Sequence, residues 1–110
     1  MTELYFADKK VEETYNKLRY SSVNKQLYKF IKRALEDIKE NPECGIAISK
    51  KLIPKIYIKK YSINNLFKYD LPSGWRLFYS LEEGKIEIMA IIIEWMNHKD
   101  YEKRFGYKVR

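Results

Sequence analysis

Hydrophobic and polar residues follow a helical period in the first third of the chain. Between residues 23 and 38 the apolar side chains recur at helical spacing and charged residues fill the intervening positions, which predicts an amphipathic helix. Its apolar stripe consists of Val23, Leu27, Phe30, Ile31, Ala34, Leu35 and Ile38. Asn41-Pro42 should end this helix, because proline disfavours helical backbone in the residue before it.

A shorter helix is predicted before the helix over residues 23–38. Val11, Tyr15 and Leu18 form its apolar face, and Asp8 is a residue type that caps helix N-termini. Ser21-Ser22 interrupt the pattern and offer a cap for the second helix. Since the link between them is short, we expect the two helices to form an antiparallel hairpin.

From residue 66 onward the apolar period changes to two, which is typical of strands. Strands are predicted over residues 66–71, 75–81 and 86–95, with turns at 72–74 and 82–85. The last strand is almost wholly apolar, so we expect it to be central and covered on both faces. Asn97 is a predicted N-cap for a helix over residues 98–105, and Gly106 is its predicted C-terminal cap.

The order of these elements predicts an α+β fold, in which a helical hairpin packs on a small antiparallel β-sheet meander with a short C-terminal helix. The apolar residues 4–6 form either an edge strand or a simple tether. The chain contains no repeat, no low-complexity tract and no Gly/Ser-rich linker, so residues 1–110 are predicted to be a single domain.

The composition of the chain limits the cellular compartment and the chemical class of partner that we expect. The chain has a globular balance of 45% apolar and 34% charged residues, with a formal net charge of +7. That charge favours an anionic partner, either nucleic acid, an acidic protein or an anionic membrane surface, although a merely soluble basic protein would also carry it. A single cysteine, no secretory signal and no apolar run long enough to span a bilayer predict a cytoplasmic location without membrane insertion.

Residues 43–65 are predicted to form a basic loop anchored by scattered isoleucines. Its cations are Lys50, Lys51, Lys55, Lys59 and Lys60, with Tyr57 and Tyr61 between them. Lysine neutralises phosphates and tyrosine offers a stacking face for bases, so this segment is a candidate RNA-binding surface. The alternative is that the lysines are simply the solvated side of a half-buried loop.

The chain lacks the spacings of metal clusters and of glycine-rich phosphate loops, and we expect no metal or other cofactor. The polar residues that could carry out chemistry therefore lie on or beside the last three predicted strands. Strand alternation places Arg76 on one face with Phe78 and Ser80. The alternative for Arg76 is an exposed cross-strand partnership with Asp70 or Glu87.

A second polar group follows the last strand and contains Glu94, Trp95, Asn97, His98 and Tyr101. His98 is the only histidine, and Tyr101 follows at i+3, so both project from one side of a helical turn. A base near an arginine can take the proton of a ribose 2′-OH while the cation stabilises the phosphorane and an acid protonates the departing 5′-oxygen. The alternative for His98 is a capping or surface role.

The segment Gly74-Trp75-Arg76-Leu77-Phe78-Tyr79 resembles the G-[YW]-R-L-[VI]-Y hairpin of the RelE/ParE toxin superfamily. His98-Lys99-Asp100-Tyr101 is similar to the closing pattern of that family, and the upstream helical hairpin resembles its αα pair. These segments look most like those of archaeal members of the family. The resemblance implies a RelE/ParE-like fold over nearly the whole chain.

The resemblance implies roles for particular residues. Arg76 matches the catalytic arginine of the RelE branch, Tyr101 or His98 would match its acid, and Lys68 is the lysine available before the turn. The two lysine positions of the family fall instead on Phe67 and Tyr69, so Lys68 would lie on the opposite face. The second family arginine falls near Glu94 or Trp95, so Glu94 is a candidate base beside His98, and Trp95 a candidate RNA contact.

Three functions follow from the resemblance. The first is the toxin of a type II toxin–antitoxin system, a metal-independent endoribonuclease (an mRNA interferase) that cleaves mRNA in association with the ribosome. The second is a ParE-like inhibitor without enzymatic activity, and the third is an RNA- or ribosome-binding module with a decayed site. The implied partners are a cognate antitoxin, mRNA and the ribosome, in a homodimer or a toxin–antitoxin hetero-oligomer.

Overall fold

Residues 2–106 are described by a computed structural model, and within them the chain forms four α-helices and one five-stranded sheet. The strands are β1 (Thr2–Phe6), β2 (Ile46–Ala47), β3 (Phe67–Asp70), β4 (Arg76–Glu83) and β5 (Ile88–Met96). The helices are α1 (Lys9–Arg19), α2 (Lys25–Glu40), α3 (Lys55–Tyr61) and α4 (His98–Phe105), with short 3₁₀ turns at Lys50–Leu52 and Pro72–Gly74. The predicted α+β class is confirmed.

The sheet has the strand order β1-β5-β4-β3-β2 and is mixed. Strands β2 to β5 pair antiparallel, as the predicted meander requires, but β1 pairs with β5 in parallel, from Thr2 opposite Ile88 to Phe6 opposite Ile92. The antiparallel meander predicted for the last three strands is confirmed, and residues 4–6 belong to an edge strand, one of the two alternatives, which makes the whole sheet mixed rather than antiparallel throughout. β5 is an interior strand as expected, yet the middle position of the sheet belongs to β4.

Each face of the sheet has its own core. Leu77 and Tyr79 of β4 pack on one face with residues from α1 and α2, including Leu18 and Ile31. Phe78 packs on the other face in a smaller core with residues of α3 and α4. The alternation predicted for β4 is confirmed, and it separates a hairpin face from an α4 face.

The helical hairpin begins later in its second helix than predicted. Asp8 caps α1 as expected, because its Oδ1 accepts from the Val11 backbone N–H at 2.9 Å. Asn24, rather than Ser21 or Ser22, is the N-cap position of α2, and Ser21 Oγ accepts from the Asn24 backbone N–H at 3.1 Å. Val23 precedes the helix and is 89% exposed, so its assignment to the apolar stripe was wrong.

The segment predicted as a basic loop contains β2, the 3₁₀ turn and helix α3. In α3 the buried Tyr57 is flanked by the more exposed Ile56 and Ile58. Because apolar residues occupy several sides of this short helix, the sequence shows no single apolar stripe that would predict it. The helix ends at Ser62, whose backbone is left-handed with a φ of 54°.

Helix α4 has the predicted bounds and caps. Asn97 Oδ1 accepts from the Asp100 backbone N–H at 2.9 Å, and Gly106 adopts a φ of 73°, the left-handed conformation that glycine permits at a helix end. Among residues 2–106, no helix combines the length and apolar character that crossing a bilayer requires.

Candidate functional site

The turn between β3 and β4 fixes the position of Arg76. Asp70 and Arg76 are paired in the register, and the turn between them contains two left-handed residues, Ser73 and Gly74. The Arg76 guanidinium donates from Nη1 to the Gly74 carbonyl oxygen at 2.7 Å, and its Nε lies 3.9 Å from Asp70 Oδ1. Arg76 is thus held at the mouth of the turn, and the cross-strand partnership with Asp70 is present.

Lys68 lies on the same face of the sheet as Arg76. It is paired with Phe78 in the register, and its Nζ lies 3.4 Å from Asp70 Oδ1. Phe67 and Tyr69 point to the hairpin face instead, where they pack against its core. The sequence placed Lys68 opposite these two residues correctly, and this face proves to be the one that carries Arg76.

Tyr101 of α4 brings the two cations together. Arg76 Cζ lies 4.4 Å from the centroid of the Tyr101 ring, and Lys68 Nζ lies 5.6 Å from the same centroid. Both distances are within the range in which an aromatic face attracts a cation. The Tyr101 ring in turn stacks on the buried Phe78, with centroids 5.9 Å apart, so the aromatic platform is anchored in the core.

His98 completes the group from the first turn of α4. Its ring centroid lies 6.4 Å from that of Tyr101, and its Nε2 lies 3.1 Å from Glu102 Oε1. A Cβ atom on Gly74 would lie 3.7 Å from His98 Cβ, so the start of α4 sits against the β3–β4 turn. We call Lys68, Asp70, Arg76, His98 and Tyr101 the Arg76 cluster.

The Arg76 cluster carries more positive than negative charge. Two permanent cations, Lys68 and Arg76, share the single carboxylate of Asp70, which is 55% exposed at its side chain. Among the described residues, the buried Nε of Arg76 has no hydrogen-bond acceptor. An oxyanion arriving from solvent would therefore meet the charges of two cations and only one competing carboxylate.

A β-bulge directs Glu94 away from the hairpin core. Tyr79 pairs with Ile92 and Phe78 pairs with Glu94, so Ile93 has no opposing residue in β4. Ile93 packs on the α4 face, and Glu94 reaches the same side, where the Tyr57 hydroxyl donates to its Oε2. Strict alternation would have turned Glu94 toward the apolar hairpin core, so the extra residue keeps its charge accessible.

The predicted grouping of Glu94 and Trp95 with His98 and Tyr101 is divided in the structure. Glu94 contacts Tyr57 and Arg104, with Arg104 Nη2 3.4 Å from Glu94 Oε1. Trp95 lies on the hairpin face, where its ring meets Tyr15 edge-on at 6.4 Å. Burial, followed by the bond to Glu94, raises the pKa of the Tyr57 phenol, so its hydroxyl remains a donor.

The candidate RNA-binding lysines lie along the 3₁₀ turn and α3. All five are exposed: Lys50, Lys51, Lys55, Lys59 and Lys60. Lys60 Nζ lies 3.4 Å from Asp8 Oδ2, and Tyr61, 5.3 Å beneath that Nζ, donates its hydroxyl to the same carboxylate at 2.9 Å. Lys60 therefore also links α3 to the start of α1.

Two site residues were not assigned a functional role from the sequence. Asp70 was considered only as an exposed cross-strand partner of Arg76, whereas it pairs with Lys68 as well. Glu102 follows His98 at i+4, a spacing at which helix side chains meet, and this spacing could have identified it.

The fold and the site together define the class of protein: a small α+β domain with a mixed sheet, carrying a cationic cluster on an aromatic platform at one sheet end. Comparison with family models, with curated proteins and with solved structures found no match for the chain.

Proposed function

We propose that this protein is an endoribonuclease that cleaves RNA by attack of a ribose 2′-OH on the adjacent phosphate, and that it acts as a RelE-like toxin on mRNA. The observation that carries the proposal is the convergence of Lys68 and Arg76 on the ring of Tyr101, beside His98. Cations, a histidine and a phenol are the groups that this reaction needs, since charge grows on the phosphorane and two protons move.

In the proposed reaction the scissile phosphate binds against the Arg76 guanidinium and the Lys68 ammonium. The 2′-oxygen forms a bond to phosphorus as it loses its proton, and the bond from phosphorus to the 5′-oxygen breaks. The departing 5′-oxygen takes up a proton, so the products are a 2′,3′-cyclic phosphate and a 5′-hydroxyl. The two cations stabilise the negative charge of the phosphorane.

His98 in its neutral form is the proposed base, and Tyr101 is the proposed acid. His98 is the more exposed of the two, and its Nε2 lies 3.1 Å from Glu102 Oε1, which orients the ring. Tyr101 lies directly beneath the two cations, where the leaving oxygen would depart. Glu94, with its contacts to Tyr57 and Arg104, is not needed for either proton transfer.

The net charge of +7 supports partners that are polyanionic or acidic. We propose mRNA, in association with the ribosome, as the substrate and an acidic cognate antitoxin as the inhibitor. Covering the Arg76 cluster with a carboxylate-bearing segment would neutralise both cations, which explains how such a partner would block cleavage.

The test is RNA cleavage by the purified full chain, with and without translating ribosomes. We expect Arg76→Ala to slow cleavage by about 10²- to 10³-fold, as expected when a donor to a developing oxyanion is removed. Arg19→Ala is the matched control, because Arg19 is an exposed arginine at the end of α1 and its removal changes the net charge equally.

Two further observations complete the design. A substrate with a single 2′-deoxyribose at the cleavage site should resist cutting, since the attacking oxygen is then absent. If wild-type protein leaves RNA intact under both conditions, or if Arg76→Ala and Arg19→Ala cleave at the same rate, the nuclease proposal is overturned.

A further inference from the structure

A cleft of about 300 Å³ opens between the start of α1, helix α3 and the end of β5. Strand β1 pairs with β5 only as far as Ile92, so the last residues of β5 extend beyond the end of β1, and Ile93, Glu94 and Trp95 line the cleft. The Arg76 cluster contributes none of the residues that line this cleft among those described. The cleft is therefore separate from the proposed cleavage site.

Glu94 is the central acceptor in the cleft. The Tyr57 hydroxyl donates to Oε2, and Arg104 Nη2 lies 3.4 Å from Oε1, so the carboxylate is oriented from two sides. A carboxylate offers about four lone-pair positions, which leaves room for two more donors. The β-bulge at Ile93 is what turns this carboxylate into the cleft rather than toward the hairpin core.

The charges around the cleft favour an anionic ligand. Three cations, Lys10, Lys60 and Arg104, line it together with two carboxylates, Asp8 and Glu94. Each carboxylate already has a cation within 4 Å, so the charge excess is positive. A cationic ligand would be repelled, whereas a ligand that is anionic at one end and donates hydrogen bonds at the other would satisfy both sets of groups.

A nucleotide has this combination, and the half-buried Tyr61, which lines the cleft, provides an aromatic surface for a base. Guanine is the base whose pairing edge presents two adjacent donors, N1–H and N2–H, to one carboxylate. Adenine and cytosine each present one donor group beside an acceptor on that edge, and uracil has one donor between two acceptors. We infer that the cleft binds a guanine nucleotide, with Glu94 accepting from both guanine donors and the lysines facing the phosphate.

Calorimetric titration of the full chain with GMP, IMP and AMP tests this site. We expect GMP to bind at least about tenfold more tightly than AMP, and IMP, which lacks the N2 amino group, to fall between them. Glu94→Gln should weaken GMP binding about tenfold and leave AMP binding unchanged, since it removes the negative charge and one acceptor. Glu83→Gln at the exposed end of β4 is the matched control and should bind GMP like the wild type.

Amide chemical shifts of the wild-type protein keep the test independent of any variant. GMP should shift the signals of Tyr57, Glu94 and Arg104. Equal affinity for all three nucleotides, or shifts confined to Arg76 and Tyr101, would overturn the guanine site.

Two RNA hexamers, one of uridines only and one with a single guanosine, distinguish the source of the base. Preference for the guanosine hexamer over GMP identifies an RNA-embedded guanine, and binding of GMP without that preference identifies a free nucleotide. Failure of both ligands to bind contradicts the inference. None of these measurements involves cleavage, so this site and the nuclease proposal can fail separately.

Discussion

The guanidinium carbon of Arg76 lies 4.4 Å from the centroid of the Tyr101 ring, which couples strand β4 to helix α4 through a cation on an aromatic face. The same ring lies beneath Lys68 and above the buried Phe78. The positions of both cations therefore depend on the docking of α4. Because Tyr101 supplies both a ring and a hydroxyl, substitutions that separate the two reveal what each does.

Tyr101→Phe keeps the platform and removes the proposed acid. We expect RNA cleavage to slow by about 10²- to 10⁴-fold, the range that general acid catalysis contributes. RNA affinity should stay close to that of the wild type, since the ring remains beneath Lys68 and Arg76. Single-turnover cleavage and fluorescence anisotropy, measured at a temperature at which thermal melting shows both proteins folded, separate the two effects.

A wild-type cleavage rate in Tyr101→Phe would remove Tyr101 from the role of acid. Tyr101→Ala is the complementary variant, because it also removes the platform. It should lose RNA affinity in addition to rate, and it should unfold at a lower temperature because Phe78 loses a stacked neighbour.

Asp70 competes with RNA for the two cations of the site. Its Oδ1 lies 3.4 Å from Lys68 Nζ and 3.9 Å from Arg76 Nε. We expect Asp70→Asn to tighten RNA binding roughly two- to fivefold at low salt, the scale of an exposed ion pair. Its affinity should also fall more steeply with salt concentration, because more phosphate charge is then neutralised by the protein.

Anisotropy titrations at several salt concentrations measure both quantities, with Glu83→Gln as a control that changes the net charge equally. Weaker binding by Asp70→Asn would mean that Asp70 serves mainly to orient Lys68 and Arg76.

The elements that were predicted best from the sequence have a periodic apolar pattern or clear capping and helix-breaking residues at their ends. Helix α2 has an apolar stripe along 16 residues, a little over four turns, before Asn41-Pro42, and α4 has the bounds set by Asn97 and Gly106. In the β3–β4 hairpin, alternation placed Arg76 and Phe78 on one face without knowledge of the partner strands. These features are local, so the sequence contains the information that determines them.

The features that could not be predicted depend on contacts between distant segments. The three apolar residues of β1 do not indicate that this strand pairs with β5 in parallel, because the alternation of apolar and polar residues does not encode the direction of a strand. The bulge at Ile93 could not be predicted either, because nothing distinguishes Ile93 from its neighbours in the run of isoleucines from Ile91 to Ile93. That bulge decides the face on which Glu94 lies, and the contact of Glu94 with Tyr57 depends on it.

Asp8 is expected to make the stability of the protein depend on acid. The Val11 backbone N–H, then Tyr61 and Lys60, lower the pKa of the Asp8 carboxyl from its ordinary value near 3.8. The folded state therefore binds the proton less readily than the unfolded state. The stabilisation is fully present above the ordinary pKa and is lost as the pH falls through the lower pKa of the folded protein.

Asp8→Ala should lower the free energy of unfolding by about 1 kcal/mol at neutral pH, the usual effect of removing an N-cap. The difference from the wild type should shrink toward acid pH. Urea unfolding at pH 7, 4 and 3 measures it, and Glu12→Ala, an exposed acidic residue in the first turn of α1, is the control. A difference that is independent of pH would show that the charge of Asp8 contributes nothing.

The contact between Tyr79 and Gly45 holds the segment after α2 against the sheet. The Tyr79 hydroxyl donates to the Pro42 carbonyl at 2.7 Å and accepts from the Gly45 backbone N–H at 2.9 Å. Tyr79→Phe leaves both backbone groups without this partner and should lower the free energy of unfolding by about 1–3 kcal/mol.

Gly45→Ala should destabilise the protein through the same oxygen, because a Cβ atom at Gly45 would lie 2.7 Å from the Tyr79 hydroxyl. The two changes should therefore be non-additive, with Gly45→Ala less harmful by about 1 kcal/mol when Tyr79→Phe has already removed that oxygen. Some penalty should remain, since the Lys68 carbonyl oxygen would still lie 3.0 Å from the new Cβ atom. Urea unfolding of the wild type, both single variants and the double variant measures the coupling, and additive effects would show that the hydroxyl is not what requires glycine at position 45.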